Sequence, residues 1–263
     1  MSSKTPKISV VVSTFNWPEA LRLSVDAYAR STWKDFEVIV ADDGSEDETA
    51  EMVRAFSRGS PFPVLHVRQP HEGFRLGRIR NLAAGAASGE ILFFSDGDCI
   101  PFPEALEAHA RACFPGRAVA GSRSLLSSEE THDLLERQAV SGGFLKAIRR
   151  RDSSRLALLR LKSLFDSHVL RKVRPKLCTA NAAVHRLDFE GVNGFDERFQ
   201  GWGYEDEDLA RRLRRLGVRI LDATLRSRVV HLFHPVHESH RPSARDGANY
   251  CYFKTGRYFI WPL

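Results

Sequence analysis

Glu90-Ile91-Leu92-Phe93-Phe94-Ser95-Asp96-Gly97-Asp98 is the stretch whose reading decides the fold. Its unbroken apolar run is what a strand buried on both faces requires. Two carboxylates separated by a glycine follow at once, at the end of that strand, where they can converge on one hard cation. The same texture recurs upstream. Ile8 to Thr14, Phe36 to Ala41 and Val64 to Val67 read as buried strands. Between them Pro18 opens a helix with Leu21, Val25 and Tyr28 on one face, and further helices are expected from Glu46 to Phe56 and from Arg75 to Ala87, the last closed by Gly89. Strands alternating with short helices predict an α/β fold: a mostly parallel, Rossmann-type sheet flanked by helices and wound in right-handed βαβ units.

Downstream the expectations are a helix from Phe102 to Phe114, a short strand from Val119 to Gly121, and mostly helix from Glu129 to Arg174 with breaks at Gly142-Gly143 and near Asp152. After Pro175 the texture turns to loops, glycines and aromatics, with a helix from Glu205 to Leu216 and a strand-like Arg228 to Val230. No repeat and no low-complexity linker separates these parts, so they are expected to pack as one body.

Composition excludes several classes. Of 263 residues, 43% are hydrophobic and 27% charged, which is the balance of a globular chain and excludes wholesale disorder. No apolar run approaches the ~20 residues a membrane-spanning helix needs. The opening Met1-Ser2-Ser3-Lys4-Thr5-Pro6-Lys7 carries no apolar core, so no signal peptide is expected. Cys99, Cys113, Cys178 and Cys251 show no C-x-x-C spacing, so neither a zinc knuckle nor a disulfide framework is expected, and a cytoplasmic setting is.

The net charge of +6 is concentrated: residues 146–176 hold eleven Lys/Arg against two Asp. The rest of the chain is therefore slightly acidic, which argues against a nucleic-acid partner and for one basic segment. In that segment Leu158, Leu161, Phe165 and Val169 form an apolar stripe, with Arg155, Arg160, Lys162 and Arg171 off it. Such a helix either lies peripherally on anionic headgroups at the inner face of the cytoplasmic membrane or packs its stripe into the core with a solvated basic face.

Ligands of an open parallel sheet bind beyond the carboxyl ends of the strands. Here those ends read Ser13-Thr14-Phe15-Asn16, Asp42-Asp43-Gly44-Ser45 and Asp96-Gly97-Asp98. There is no G-x-G-x-x-G after the first strand and no P-loop, so a phosphate at this acidic edge needs a divalent cation between it and the carboxylates. A second cluster is Gly201-Trp202-Gly203-Tyr204-Glu205-Asp206-Glu207-Asp208. Acids at a helix start favour the dipole, and Glu207 and Asp208 are assigned that plain role. Trp202, between two glycines, is a platform for a sugar face. Four histidines, His231, His234, His237 and His240, fall within ten residues. Imidazole added to carboxylates favours manganese over calcium, with magnesium still open. Arg75, Arg78 and Arg80 either make surface ion pairs or reach a diphosphate.

Together the motifs Ile8 to Asn16, Ala41 to Ser45, Gly77 to Asp98 and Val192 to Leu213 resemble the family 2 nucleotide-sugar glycosyltransferases of the GT-A fold. The last motif is similar to the acceptor-side motif of β-1,4-galactosyltransferases and bacterial chondroitin-type polymerases. The resemblance covers roughly residues 7–121 and 177–234. It implies a nucleotide-sugar-binding half at 1–121, a basic helical insertion at 122–176 and an acceptor-binding, catalytic half at 177–263. The implied reaction is inverting and uses Mn2+ or Mg2+, with Mn2+ preferred. A sugar passes from a UDP-type donor to a hydroxyl of a glycan or glycolipid, giving a β-glycoside in bacterial surface polysaccharide or lipopolysaccharide synthesis.

Carried over by position, Ser13, Phe15 and Asp43 hold the nucleobase and Asp96 lies near the ribose. Arg80 matches the family's A-R-N arginine and, with Arg75 from the same basic cluster, is assigned to the nucleotide-sugar; Asp98 with His231 or His234 binds metal, Asp206 is the base and Glu205 orients a substrate. The sequence departs from the pattern at Tyr204, where galactosyltransferases have glycine, and at Ile79, where alanine precedes the arginine. A sugar-nucleotide nucleotidyltransferase is the alternative, but its Gly-rich basic loop is missing from Ser13 to Trp17.

Overall fold

The computed structural model describes residues 7–168, 175–235 and 248–255. The strands are β1 (Ile8–Thr14), β2 (Phe36–Asp42), β3 (Val64–Arg68), β4 (Ile91–Asp96), β5 (Cys99–Pro101), β6 (Arg117–Ala120), β7 (Ser122–Leu125), β8 (Asn181–His185), β9 (Arg219–Asp222) and β10 (Arg228–His231). The helices are α1 (Pro18–Ala27), α2 (Asp47–Gly59), α3 (Leu76–Ala86), α4 (Ala105–Ala110), α5 (Ser128–Arg137), α6 (Gly142–His168), α7 (Arg186–Gly191), α8 (Glu205–Arg215) and α9 (Ala248–Thr255).

The central sheet has the order β3-β2-β1-β4-β8-β6-β9. Its first four strands are parallel. Period-two alternation explains why β1 and β4 are apolar throughout. Val11, Leu92 and Phe94 face one layer, where Ile79 and Ala83 of α3 meet Phe189 of α7 and Leu209 and Leu213 of α8. Ile8, Val10, Val12, Ile91 and Phe93 face the other, against Leu21 and Val25 of α1, Val53 of α2 and Leu106 of α4. Fully burying one such side chain contributes about 1.5–3 kcal/mol.

The sequence reading took the chain after Pro175 as loop up to Glu205, yet β8 lies there, antiparallel to both β4 and β6 at the centre of the sheet. Its middle residues, Ala182 and Ala183, carry little strand propensity, and tertiary pairing decides the matter. The helix expected from Phe102 to Phe114 is cut to α4, and Cys99 to Pro101 pairs with β10 instead. That pairing belongs to a small second sheet, β5-β10-β7, whose register sets His231 opposite Cys99. It thereby carries the histidine of one end of the chain to the Asp-Gly-Asp turn of the other.

The helix α6 runs without a break at Asp152, whose carboxylate is held by Arg151 at 2.9 Å. Leu145, Ile148 and Leu156 are its buried apolar residues among those described, whereas Leu158 and Leu161 are 67% and 63% exposed. The described part of the apolar stripe therefore faces outward, and it does not pack into the core; the side chain of Phe165, and Val169, lie outside the described residues. No described helix is long and apolar enough to cross a membrane.

Urea denaturation of two variants one turn apart checks this orientation. Leu156→Ala is expected to cost about 2–5 kcal/mol, whereas Leu158→Ala stays within about 0.5 kcal/mol of the wild type.

Candidate active site

Asp96 ends β4 and Asp98 opens the turn into β5. Gly97 between them donates its N–H to the Ser13 carbonyl at 2.7 Å, and a Cβ there would press on that carbonyl and on Thr14. The glycine thus lets the acidic turn lie flat against the end of β1. Asp98 is anchored in turn by its own carbonyl, which accepts from Leu232 N–H at 2.9 Å. Its Oδ2 sits 3.5 Å from His231 Nε2 and 3.3 Å from His234 Nε2. One ligand atom from each of the three residues falls within a 4.8 Å spread, and Asp96, Asp98 and Cys99 form an overlapping group. Burial pushes the Asp98 carboxyl up, and the two imidazoles oppose that. His237 and His240 lie outside the described residues.

Arg80, on α3, is the second centre. Only 1% exposed, it donates from Nε to Ser13 Oγ at 3.0 Å and from Nη2 to Asp96 Oδ1 at 2.8 Å. Its Nη1 faces Asp206 Oδ1 at 3.7 Å and Glu205 Oε1 at 3.9 Å, the two acids that open α8. Asp206 is fixed from the other side by a residue the sequence reading missed. Thr179 donates its backbone N–H to Asp206 Oδ2 at 3.0 Å and its hydroxyl to Oδ1 at 2.5 Å. Thr179 lies in the turn two residues before the unrecognised β8 and stands in no motif, so nothing local marks it.

At the β1–β2 end Asp43 is buried, its Oδ1 taking the Gln69 amide and its Oδ2 the Arg75 N–H at 3.1 Å. Phe15, half exposed, stacks on His71 with ring centroids 4.2 Å apart and 16° between planes. His71 Nδ1 reaches the Asp43 carbonyl at 2.9 Å. Gln69 and His71 were not singled out from sequence, and they follow β3 where no motif flags them. The Arg75 side chain pairs with Glu72 at 2.5 Å. Thus the structure joins Ser13, Arg80, Asp96, Glu205 and Asp206 in one network, and Asp98, His231 and His234 in a second that Asp96 adjoins.

Trp202, 47% exposed, rides a loop in which Gly201, Gly203 and Tyr204 all have positive φ. Tyr204, at φ 74°, occupies a conformation natural to the glycine it replaces and unfavourable for a bulky residue. Its ring is compensated by contacts with Tyr250 at 5.5 Å and Phe253 at 5.3 Å on α9. The same helix holds the loop through Asn249 Nδ2, which donates to the Gly203 carbonyl at 3.1 Å.

Residues 9–186 match the profile of glycosyl transferase family 2, and residues 160–237 that of the N-terminal domain of galactosyltransferase. The chain belongs to glycosyl transferase family 2. Among curated relatives it is 33% identical over 228 residues to a validoxylamine A glucosyltransferase of Streptomyces hygroscopicus subsp. jinggangensis, covering 82% of this chain and 53% of that protein. It is 27% identical over 224 residues to a chondroitin synthase of Escherichia coli, covering 80% and 32%. The chain therefore spans about half the first relative's length and a third of the second's. Of solved structures, a Pyrobaculum calidifontis mannosyltransferase in complex with GDP-Man and Mn2+ aligns with a TM-score of 0.61 at 20% identity, over 90% of this chain and 59% of that one. S. aureus TarS in complex with UDP-GlcNAc aligns at 0.63 and 17%, over 90% and 61%. These likenesses confirm the GT-A fold.

Both acids at the head of α8 hold their protons above the usual range. Burial and the neighbouring Asp206 push Glu205 from 4.5 to about 7, against the pull of Arg80. Burial also pushes Asp206 up, with Arg80 and the Thr179 bonds opposing. A carboxyl raised in the folded state stabilises it fully below the unfolded value and loses that contribution as pH rises through the folded one. Stability is thus expected to fall from pH 4.5 to about 7. Glu205→Gln should shallow that fall in urea denaturation, and an equal slope in the two proteins contradicts the assignment.

Proposed function

We propose that the chain is an inverting, metal-dependent glycosyltransferase that moves a sugar from a UDP-type donor to a hydroxyl of a glycan or glycolipid, giving a β-glycoside. The observation that carries this reading is Asp206, oriented by Thr179 through both oxygens and set beside Arg80 and Asp96 at the sheet edge that also bears Asp98, His231 and His234. Likeness to a chondroitin synthase supports a glycan acceptor, in surface polysaccharide or lipopolysaccharide synthesis. The nucleotide-sugar complexes of the structural neighbours, one of them with Mn2+, support the donor class and a divalent ion.

The residues fit such an ion. One carboxylate and two imidazoles within reach of each other form a mixed O/N donor set suited to Mn2+, with Mg2+ the less favoured choice. Bound there, the cation would neutralise charge growing on the diphosphate as the donor C1–O bond breaks.

The chain's own residues do the rest. Phe15, stacked on His71, and Asp43 are assigned to the nucleobase, with Ser13 closing the end of β1. Arg75 and Arg80 are assigned to the donor side and Asp96 to the ribose. An acceptor hydroxyl is a weak nucleophile, so its proton passes to Asp206 as its oxygen attacks C1 from the face opposite the departing diphosphate. Each carboxylate oxygen keeps a second lone pair, so Asp206 can accept from Thr179 and still take that proton. Glu205 orients a substrate, and Trp202 offers its indole face to the acceptor sugar.

Asp206→Asn is expected to lower transfer by about 10²–10⁴-fold while leaving UDP binding with manganese intact by calorimetry. Asp98→Ala should instead abolish the manganese dependence of UDP binding. Loss of UDP binding in the first variant removes Asp206 from the base role, and unchanged manganese dependence in the second removes Asp98 from the metal site.

The basic segment at 146–176 is assigned to an anionic membrane surface, supported by the outward Leu158 and Leu161 and the exposed Lys146 and Arg150. Each basic residue near such a surface contributes about 1 kcal/mol. The protein should sediment with phosphatidylglycerol vesicles at low salt and be released at high salt. Leu158→Ser with Leu161→Ser should weaken that association, and an unaltered pellet refutes it.

A further inference from the structure

One residue from the base-holding Thr179 opens a cavity of about 360 Å³ that the transfer chemistry leaves unused. Arg123 of β7, Arg155 of α6 and Lys176 all line it, together with Cys178. Among the described residues none of these three cations has a hydrogen bond or salt bridge to a carboxylate. The two acids in the wall are already engaged. Asp152 holds the Arg151 guanidinium at 2.9 Å, and Asp222 Oδ1 accepts the Thr224 N–H at 2.8 Å. Among the described residues the wall thus carries three cations against two carboxylates, and Asp152 also serves Arg151, which is not in the wall, in a chain whose neighbouring sheet edge is acidic.

Some described arginines are matched by a local acid, as Arg149 is by Glu104, Arg111 by Glu107 and Arg198 by Asp196, whereas Arg155 only shares the charge of Asp152 with Arg151. Cys178 of the cavity wall adjoins Thr179, which holds Asp206 through both carboxylate oxygens, so the cavity and the reacting edge meet at that dipeptide. An acceptor whose hydroxyl reaches Asp206 would therefore place an adjoining group here.

We propose that this cavity receives a phosphate group of the acceptor, gripped by Arg123, Arg155 and Lys176. The proposal rests on the transfer reading and names the acceptor class for it. Phosphate is favoured over carboxylate because three cations match a dianion with three peripheral oxygens, and two of them are guanidiniums, whose forked donors suit phosphate.

The test titrates glycerol 3-phosphate into protein saturated with UDP and manganese, so that the donor site does not compete, and follows thermal unfolding and calorimetric heat. Glycerol 3-phosphate should stabilise the wild type and glycerol should not. Arg155→Gln with Lys176→Gln should weaken the phosphate by at least about tenfold, while UDP with manganese stabilises variant and wild type alike. Arg123→Gln, on a different element, should weaken it independently.

Equal affinity of wild type and both variants overturns the proposal, as does glucuronate binding as tightly as glycerol 3-phosphate. Vesicle sedimentation supplies the arm for a lipid source. If the substitutions diminish phosphatidylglycerol binding but not glycerol 3-phosphate binding, the charges serve a lipid surface and the proposal falls. Failure of UDP with manganese to stabilise the wild type strikes the transfer reading on its own curve. The cavity is then judged by the glycerol 3-phosphate difference between wild type and variants.

Discussion

Arg80 brings a full positive charge into the interior, and three carboxylates drawn from two distant stretches of chain, Asp96, Glu205 and Asp206, turn toward it. An isolated buried charge is several kcal/mol unfavourable, and so is each buried carboxylate. Neither arrangement is tolerable without the other. Because one guanidinium faces three acids, it cannot hold them all at ordinary acidity. Glu205 and Asp206 keep raised proton affinity as a direct result of burial that Arg80 only partly offsets. That imbalance is what a proton acceptor working near neutrality requires. The same guanidinium fixes Ser13, so the end of β1 and the head of α8 are held in register by one side chain.

The sheet topology supplies the partners. Inserting β8 antiparallel between β4 and β6 places Thr179, just upstream of it, against Asp206. A buried lock holds that insertion. His109 Nε2 lies 3.0 Å from Asn181 Oδ1 and 2.8 Å from Ser227 Oγ, while Asn181 Nδ2 donates to the Ser122 carbonyl at 2.9 Å. Burial pushes the His109 imidazole down to about 4, so it is neutral and acts as a fixed polar strut. A Cβ on Gly121 would collide with the Asn181 amide, which is why the β6–β7 junction can lie so close. The strut thus ties α4, β8 and the approach to β10, and β10 carries His231 to Asp98.

How much of this was legible follows from where the information resides. The strands β1 to β4 announce themselves because burial on both faces forces continuous apolar runs, and the acids stand out because each follows such a run or opens a helix. What failed was set by tertiary context. The alanines of β8 have no strand signature of their own, and Thr179 matters only because a residue 27 positions away lies against it. The stripe of α6 was legible by its period, but its two possible settings, outward or packed into the core, could be told apart only in the structure, where Leu158 and Leu161 stay exposed and Leu156 turns inward. Tyr204 was visible as a departure, yet its ring contacts with α9 required coordinates.

The distribution of charge gives the two halves of the site opposite tasks. The edge formed by Asp96, Asp98, Glu205 and Asp206 is acidic, so on the proposed reading a diphosphate is held there through an intervening cation, with Asp98 and the two histidines as its ligands. An acceptor bearing its own phosphate meets the same negative charge as it nears Asp206. On the proposed reading the cavity cations answer it, and of the three Arg123 also feels the charge of Asp206 and draws its proton affinity down in return. Were those cations carried by the acidic edge itself, they would lower the proton affinity of Asp206 and weaken it as a base. On the proposed reading, carrying Arg155 and Lys176 on the cavity wall and not on the acidic edge keeps most of the anion-capturing charge away from the base.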